Sequence, residues 1–177
     1  MSRASSLVEI AQHLRSNVSR LRFDQPVCHV YNPLAYAWAP HREYLQRYGQ
    51  GRHPVLIVGM NAGYFGMAQT GIPFGDVEMV RGWLAIRAQA RKPRAEHPKR
   101  PIEAYACRRR EISGQRLWGW ARDRFGTPER FFASFFVINY CPLCFLGVSG
   151  AIRTPGCRRR SASCSSRPAI ALSARQR

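Results

Sequence analysis

A continuous apolar run, Pro54-Val55-Leu56-Ile57-Val58-Gly59, constrains the fold of this chain more than any other feature. A strand that is apolar at every position is typical of a parallel sheet whose two faces are both covered. The run leads into a glycine-rich turn over Asn61–Gly66, and apolar spacing then predicts a helix over Asp76–Ile86. This order of strand, turn and helix predicts an α/β fold with a ligand cleft at the carboxyl end of the strand.

The rest of the chain supplies further helices and strands for one domain. Apolar spacing predicts helices over Leu7–Leu21, with Ser5 or Ser6 as the N-cap, and over Ser113–Phe125. A second apolar run predicts a buried strand within Phe131–Tyr140. The other expected elements are a short strand at Val27–Tyr31, a short helix within Tyr36–Tyr48 and a long surface loop over Ala88–Arg110.

The net charge of +18 favours a polyanionic partner such as DNA. Nearly all of this charge is Arg, which a GC-rich coding sequence would also explain. No apolar run approaches the roughly 18 residues that span a bilayer, and the first residues lack the apolar core of a signal peptide. We therefore expect a monomer inside the cell, in the nucleoid-containing cytoplasm of a bacterium or the nucleus of a eukaryote, with no membrane partner.

The six Cys residues leave a metal site open as an alternative. Cys141-Pro142-Leu143-Cys144 has the spacing that zinc and iron–sulfur sites use. The same residues also suit the apolar end of a buried strand. We favour the strand end, because no second Cys or His pair completes a four-ligand set, and we expect no metal or other cofactor.

Three side chains become informative only in combination. Taken singly, Asn61 suits a turn, Asn139 a strand end and Phe74 a hydrophobic core. The run Gly59-Met60-Asn61-Ala62-Gly63, continued through Phe65–Gly71 to Pro73-Phe74-Gly75, resembles the first active-site motif of the single-strand-selective monofunctional uracil-DNA glycosylases. Flanking stretches over roughly Leu21–Gly150 resemble the same family: Tyr31-Asn32-Pro33, Tyr36-Ala37-Trp38, Pro40-His41-Arg42, Glu96–Pro101, Gly114–Gly119 and Phe136–Gly150.

The resemblance implies a three-layer α/β/α fold with a central, mostly parallel sheet. It also implies a base-excision repair enzyme that hydrolyses the N-glycosidic bond of uracil and related pyrimidines in DNA without a cofactor. Asn61 would position the attacking water. The base would contact Phe74, which stacks on it, and Asn139, which reads its edge, together with Met60, Gly63 and Met67. DNA would contact His97, Lys99, Arg100, Ser149 and Gly150, although a solvated loop explains the first three equally well.

The sequence departs from the family pattern in two places. Ala62 replaces a proline, which makes the turn more flexible. The family's second motif, His-Pro-Ser-Pro, is not in the printed sequence, and loss of its hydrogen bond to the uracil oxygen would lower the rate by about 10²–10³. We therefore expect a glycosylase-like domain over 1–150 that lacks its last strand and helices, followed by an Arg-rich, disordered or frameshifted tail over 151–177. The alternatives are a non-catalytic DNA-binding remnant and the iron–sulfur branch of the superfamily.

Overall fold

The computed structural model describes residues 3–153 of the 177-residue chain. The helices in this part are α1 Arg3–Val18, α2 Pro33–Tyr36, α3 Trp38–Tyr48, α4 Met67–Thr70, α5 Val77–Gly82, α6 Ile112–Phe125 and α7 Pro128–Phe132, with a 3-10 turn at Ala104–Ala106. The strands are β1 His29–Tyr31, β2 Val55–Asn61, β3 Phe135–Cys141, β4 Cys144–Leu146 and β5 Ile152–Arg153. None of the described helices is long and apolar enough to cross a membrane. Helices that alternate with strands confirm the predicted α/β class.

The strands form two small sheets. β2 and β3 pair in parallel, with Gly59 opposite Asn139 and Asn61 opposite Cys141. β4 lies antiparallel between β1 and β5. Pro142 separates β3 from β4, and because it has no backbone N–H it cannot extend the ladder of β3. Residues 3–153 therefore contain one parallel pair, and the expected single, mostly parallel sheet is not confirmed.

An aromatic core covers one face of the parallel pair. Trp118 of α6 and Phe131 of α7 are fully buried in the same hydrophobic cluster as Phe136 of β3. Tyr44 of α3 reaches the same core and donates its hydroxyl hydrogen bond to the carbonyl of Val137, at 2.8 Å. On β2, however, alternate side chains are open to solvent: Leu56 is 53% exposed, Val58 52% and Met60 68%. The prediction that both faces are covered is therefore wrong for the described part of the chain.

Several predicted boundaries differ from the observed ones. α1 begins at Arg3, so Ser5 and Ser6 lie inside the helix and neither is its N-cap. α5 ends at Gly82 rather than Ile86. Phe131 and Phe132 belong to α7, which Thr127 caps by accepting a hydrogen bond from the backbone N–H of Arg130. A Thr-Pro pair is a strong helix start, and it outweighs the strand propensity of the two aromatic residues.

The fold extends slightly past the boundary that the sequence suggested. Ile152 and Arg153 form β5, which pairs with Leu146 and Phe145 of β4. The rest of the predicted Arg-rich tail, residues 154–177, lies outside the described residues.

His41 of α3 is a buried titratable group that makes the stability of the fold depend on pH. Its ring is buried and its Nδ1 lies 2.8 Å from the carbonyl oxygen of Gly71. Because a carbonyl only accepts, this nitrogen carries a proton, and the ring is neutral when the other nitrogen does not. Burial lowers the pKa of His41 from 6.5 to about 4.

We expect His41 to make the protein less stable in mild acid. The unfolded chain binds a proton near pH 6.5, whereas the folded chain resists it until about pH 4. The unfolding free energy should therefore fall by roughly 3 kcal/mol as the pH drops through this window. Urea unfolding at half-unit pH steps measures the effect. His41→Gln, which keeps a donor for Gly71, should flatten that slope, and an unchanged slope would contradict the assignment.

Candidate active site at the carboxyl ends of the parallel strands

A cavity of about 100 Å³ lies where β2 and β3 end. Its walls come from β2, the following turn, the start of α4, the residue Phe74, the start of α6 and β3. The lining residues are Gly59, Met60, Asn61, Gly63, Gly66, Met67, Phe74, Glu111, Ser113 and Asn139. The structure thus brings together every residue that the sequence predicted to contact the base or the water.

Gly59 allows the two predicted base contacts to meet. A Cβ atom added at Gly59 would overlap the side-chain oxygen of Asn139 and would lie 2.8 Å from the Cε2 and Cζ atoms of Phe74. Real Cβ atoms do not approach other atoms this closely, so a side chain here would push the ring and the amide apart. The absence of a side chain on β2 is therefore what lets an aromatic ring and a carboxamide line one cavity.

Phe74 has an unusual backbone conformation. Its φ of +53° lies in the left-handed region, which residues other than glycine seldom adopt. The carbonyl of Phe74 accepts hydrogen bonds from the backbone N–H of Asp76, at 2.8 Å, and from the indole N–H of Trp118, at 3.0 Å. Two donors hold this carbonyl, so the conformation is imposed by the surrounding fold. Backbones held in this way are concentrated at binding sites.

Asn139 and Asn61 both have side chains that a ligand could engage. The Asn139 amide donates to the sulfur of Met67 at 3.1 Å. Sulfur is a weak acceptor, so a carbonyl oxygen on a ligand would replace it readily. Asn61 is half-buried and donates to the carbonyl of Ala62 at 3.2 Å. Both carboxamides lie toward the carboxyl ends of the parallel strands: Asn61 is the last residue of β2, and Asn139 lies within β3 opposite Gly59.

Two cavity residues, Glu111 and Ser113, lie outside the motifs that predicted the site. The Glu111 carboxylate packs on the glycine-rich turn, since a Cβ added at Gly63 would lie 2.8 Å from its Oε2 atom and one at Gly66 would lie 2.9 Å from its Cγ atom. The Ser113 hydroxyl donates to Glu111 Oε1 at 2.6 Å. The only sequence signal for these residues is a carboxylate and a hydroxyl at the start of a helix. The contact of Glu111 with the glycine-rich turn joins segments far apart in the chain, so the sequence did not predict it.

A buried carboxylate positions the start of α6. Asp76, which is fully buried, caps α5 at the N–H of Met79 and accepts from the guanidinium of Arg110 at 2.8 and 2.9 Å. It also accepts from the backbone N–H of Glu111 at 3.1 Å. One side chain therefore holds the segment after Phe74 against the segment that carries Glu111.

The predicted DNA-contact residues Lys99, Arg100, Ser149 and Gly150 lie together in the structure. Arg100 donates through Nε to the carbonyl of Gly150 at 2.8 Å, and its guanidinium lies 5.2 Å from the centre of the Tyr64 ring. Lys99 and Ser149 are exposed beside them. The loop is thus docked by Arg100, which argues against the alternative of a freely solvated loop at this position.

His97 differs from the other members of this group, because its side chain is only 5% exposed. Its backbone N–H donates to the hydroxyl of Tyr31 at 2.8 Å, and its Nδ1 accepts from the N–H of Lys99 at 3.2 Å. A direct contact of this ring with a DNA phosphate, as the sequence suggested, is at odds with its burial. Its contacts order the loop that presents Lys99.

The Cys pair lies at a strand end. Cys141 closes β3 and is half-buried, whereas Cys144 is fully buried in β4, where burial raises the pKa of its thiol to about 12. Residues 3–153 contain no group of three or more His, Cys, Asp or Glu side chains arranged to hold a metal ion. Cys157 and Cys164 lie outside the described residues.

No protein-family model matches the chain. A rat protein named single-strand selective monofunctional uracil-DNA glycosylase is 49% identical over 154 residues, which are 87% of this chain and 55% of the rat protein. The proteins of that name from mouse and cattle are 49% and 48% identical over the same share of this chain and 55% and 57% of their own lengths. The chain therefore spans about half the length of the curated relatives it matches.

A solved structure shares the fold at lower identity. The crystal structure of wild-type Pedobacter heparinus SMUG2 superimposes with a TM-score of 0.55 at 20% identity, over 86% of this chain and 59% of that one. The family that the motif around Asn61 predicts is confirmed by the curated relatives. Over the matched 154 residues, this chain is similar to the single-strand selective monofunctional uracil-DNA glycosylases of rat, mouse and cattle.

Proposed function

We propose that the protein is a monofunctional DNA glycosylase of base-excision repair, which hydrolyses the N-glycosidic bond of uracil and related pyrimidines in DNA. The observation that carries this proposal is the convergence of Asn61, Phe74 and Asn139 on one cavity at the ends of β2 and β3. The names of the curated relatives support the same activity.

The base would bind between Phe74 and Asn139. Taking a base out of the DNA stack requires a few kcal/mol, and stacking on an aromatic ring with hydrogen bonds to the base edge offsets this. The Phe74 ring is held by its unusual backbone, and the Asn139 carboxamide offers both a donor and an acceptor. On binding, uracil would replace the weak Met67 sulfur as the acceptor of the Asn139 N–H.

Asn61 would orient the attacking water. A neutral carboxamide is a poor base, so it cannot generate hydroxide, and the glycosidic bond must break largely before the water adds. The departing uracil then carries negative charge, whose stabilisation becomes the main catalytic requirement. Donors aimed at the uracil oxygens therefore matter more than activation of the water by Asn61.

The proposed partner is uracil-containing DNA, single- or double-stranded, bound by a monomer. The exposed Lys99 and the docked Arg100 beside Ser149 and Gly150 would contact the phosphates, and the excess of basic over acidic residues supports this. The compartment proposed is the cytoplasm of a bacterium, at the nucleoid, or the nucleus of a eukaryote. We also infer that β2 and β3 belong to a larger, mostly parallel sheet in a three-layer α/β/α fold.

A second candidate function is DNA binding without cleavage. Within residues 3–153, no His is among the residues that line the cavity. The family resemblance places a His donor against the uracil oxygen, and a site without that donor would stabilise the uracil anion less. Such a protein would bind uracil-containing DNA through the same cavity without releasing the base.

Replacement of Asn61 tests the proposed activity. We expect Asn61→Ala to lower the single-turnover rate of uracil release by about 100-fold or more, because it removes the group that orients the water. The assay uses a single-stranded oligonucleotide with one uracil. Asn17→Ala, the same substitution on the exposed face of α1, should leave the rate unchanged.

The same oligonucleotide separates the two candidate functions. Uracil release by the natural chain that Asn61→Ala abolishes would support the glycosylase. Tight binding to uracil-containing DNA without any release would contradict it and support the binding protein.

Replacement of Gly59 tests the geometry of the cavity. Gly59→Ala should abolish uracil release and lower the unfolding free energy by about 1–3 kcal/mol, because the new methyl group forces Phe74 and Asn139 apart. Gly119→Ala in α6 is the matched control, since a Cβ there would meet nothing within 4 Å. It should raise stability by about 0.5–1 kcal/mol. Equal behaviour of the two variants in urea unfolding would refute the packing argument.

A further inference from the structure

Glu111 is the one cavity-lining side chain, within the described part of the chain, that carries a formal charge. None of the roles proposed above uses it. Its backbone is held by Asp76 and its carboxylate by Ser113, so the group is kept at the cavity wall by both its main chain and its side chain. A fixed carboxylate in a reaction cleft requires an explanation.

The charge of Glu111 is not neutralised by a neighbouring cation. None of the five ion pairs formed by residues 3–153 includes it. The adjacent Arg110 is engaged by Asp76, and Arg109 lies over the ring of Phe65, with its guanidinium 4.5 Å from the ring centre. Oε1 accepts from Ser113, while Oε2 lies on the Cα of Gly63 and keeps accepting capacity.

The position of Glu111 in the cavity relates it to the reacting atoms. Phe74 and Asn139, which would hold the base, both lie over Gly59. The Glu111 carboxylate lies over Gly63 and Gly66, which follow Asn61 in the turn, and both Asn61 and Glu111 line the cavity. A base at the Gly59 end would therefore place its sugar toward Asn61 and Glu111.

Resting on the glycosylase activity proposed above, we propose that Glu111 is a catalytic residue that stabilises the positive sugar and accepts the proton of the attacking water. Asn61 lacks both capacities because it is neutral. A fixed negative charge next to a developing positive charge stabilises the transition state more than the ground state, where the sugar is neutral. Asn61 and Glu111 would then have different roles: the amide would orient the water, and the carboxylate would accept its proton.

The proposed step conserves atoms and electrons. The bond between the base nitrogen and C1′ breaks, its electron pair leaves with uracil, and the sugar becomes an oxocarbenium ion. The water oxygen forms a bond to C1′ and transfers a proton to Glu111 Oε2. Solvent protonates the uracil anion, and Glu111 returns its proton to solvent.

The test measures charge recognition separately from turnover. The probes are two single-stranded oligonucleotides, one with a cationic pyrrolidine in place of the sugar and one with a neutral tetrahydrofuran. Glu111→Gln keeps the shape of the side chain and its acceptor for Ser113. It should weaken binding of the cationic probe by about tenfold to a hundredfold, with less than about twofold loss for the neutral probe.

The matched control removes the same charge elsewhere. Glu9→Gln lies on the exposed surface of α1 and should leave the binding of both probes unchanged. Uracil release by Glu111→Gln should be about 10²–10⁴-fold slower than by the natural chain. Equal losses for the two probes, or a release rate equal to that of the natural chain, would overturn the role of Glu111.

Two further results keep the outcome decisive. If Glu111→Gln does not fold, the natural chain alone must bind the cationic probe at least about tenfold more tightly than the neutral one. A ratio near one overturns the proposal. If the natural chain neither releases uracil nor binds either probe, the proposed glycosylase activity is refuted, and the proposed role of Glu111 is refuted with it. If the natural chain and the Glu111→Gln variant are both active, only the proposed role of Glu111 is refuted.

Discussion

The buried carboxylate of Asp76 holds the two halves of the cavity together. A buried charge is strongly unfavourable unless it is paired and hydrogen-bonded, and Asp76 has both kinds of partner in Arg110 and in the backbone N–H groups of Met79 and Glu111. These contacts join the segment after Phe74 to the start of α6. The orientation of the aromatic ring and the position of the Glu111 carboxylate therefore depend on one side chain that does not line the cavity.

Close backbone approach is the second constraint on the site. Gly59 leaves room for the Phe74 ring and the Asn139 amide, while Gly63 and Gly66 leave room for the Glu111 carboxylate. The result is a cleft with an aromatic and amide end, where the base would bind in the proposed reaction, and an anionic end, toward which the sugar would lie. The glycines of the turn have no reactive side chains, and they contribute to the proposed hydrolysis by leaving room for the groups that would act on the substrate.

Much of the local structure was predictable because it depends on short-range patterns. The apolar runs located β2 and β3, and the spacing of apolar residues located α1, α5 and α6, although with shifted ends. The antiparallel sheet was not predicted. β4 is short and follows Pro142, and its pairing with β1 joins segments that are distant in the chain. α7 was not predicted, because its aromatic residues have a high strand propensity although Thr127 and Pro128 form a strong helix start.

The sequence by itself indicated the family and singled out Asn61, Phe74 and Asn139, because these lie in contiguous motifs whose residue types suit the proposed chemistry. Only the tertiary structure decided that Glu111 lines the same cavity and that His97 is buried. Both depend on contacts between segments far apart in the chain. The Asp76 carboxylate holds the backbone of Glu111, and the Tyr31 hydroxyl accepts a hydrogen bond from the backbone N–H of His97. Such contacts follow from how the elements pack, which no local pattern of residues records.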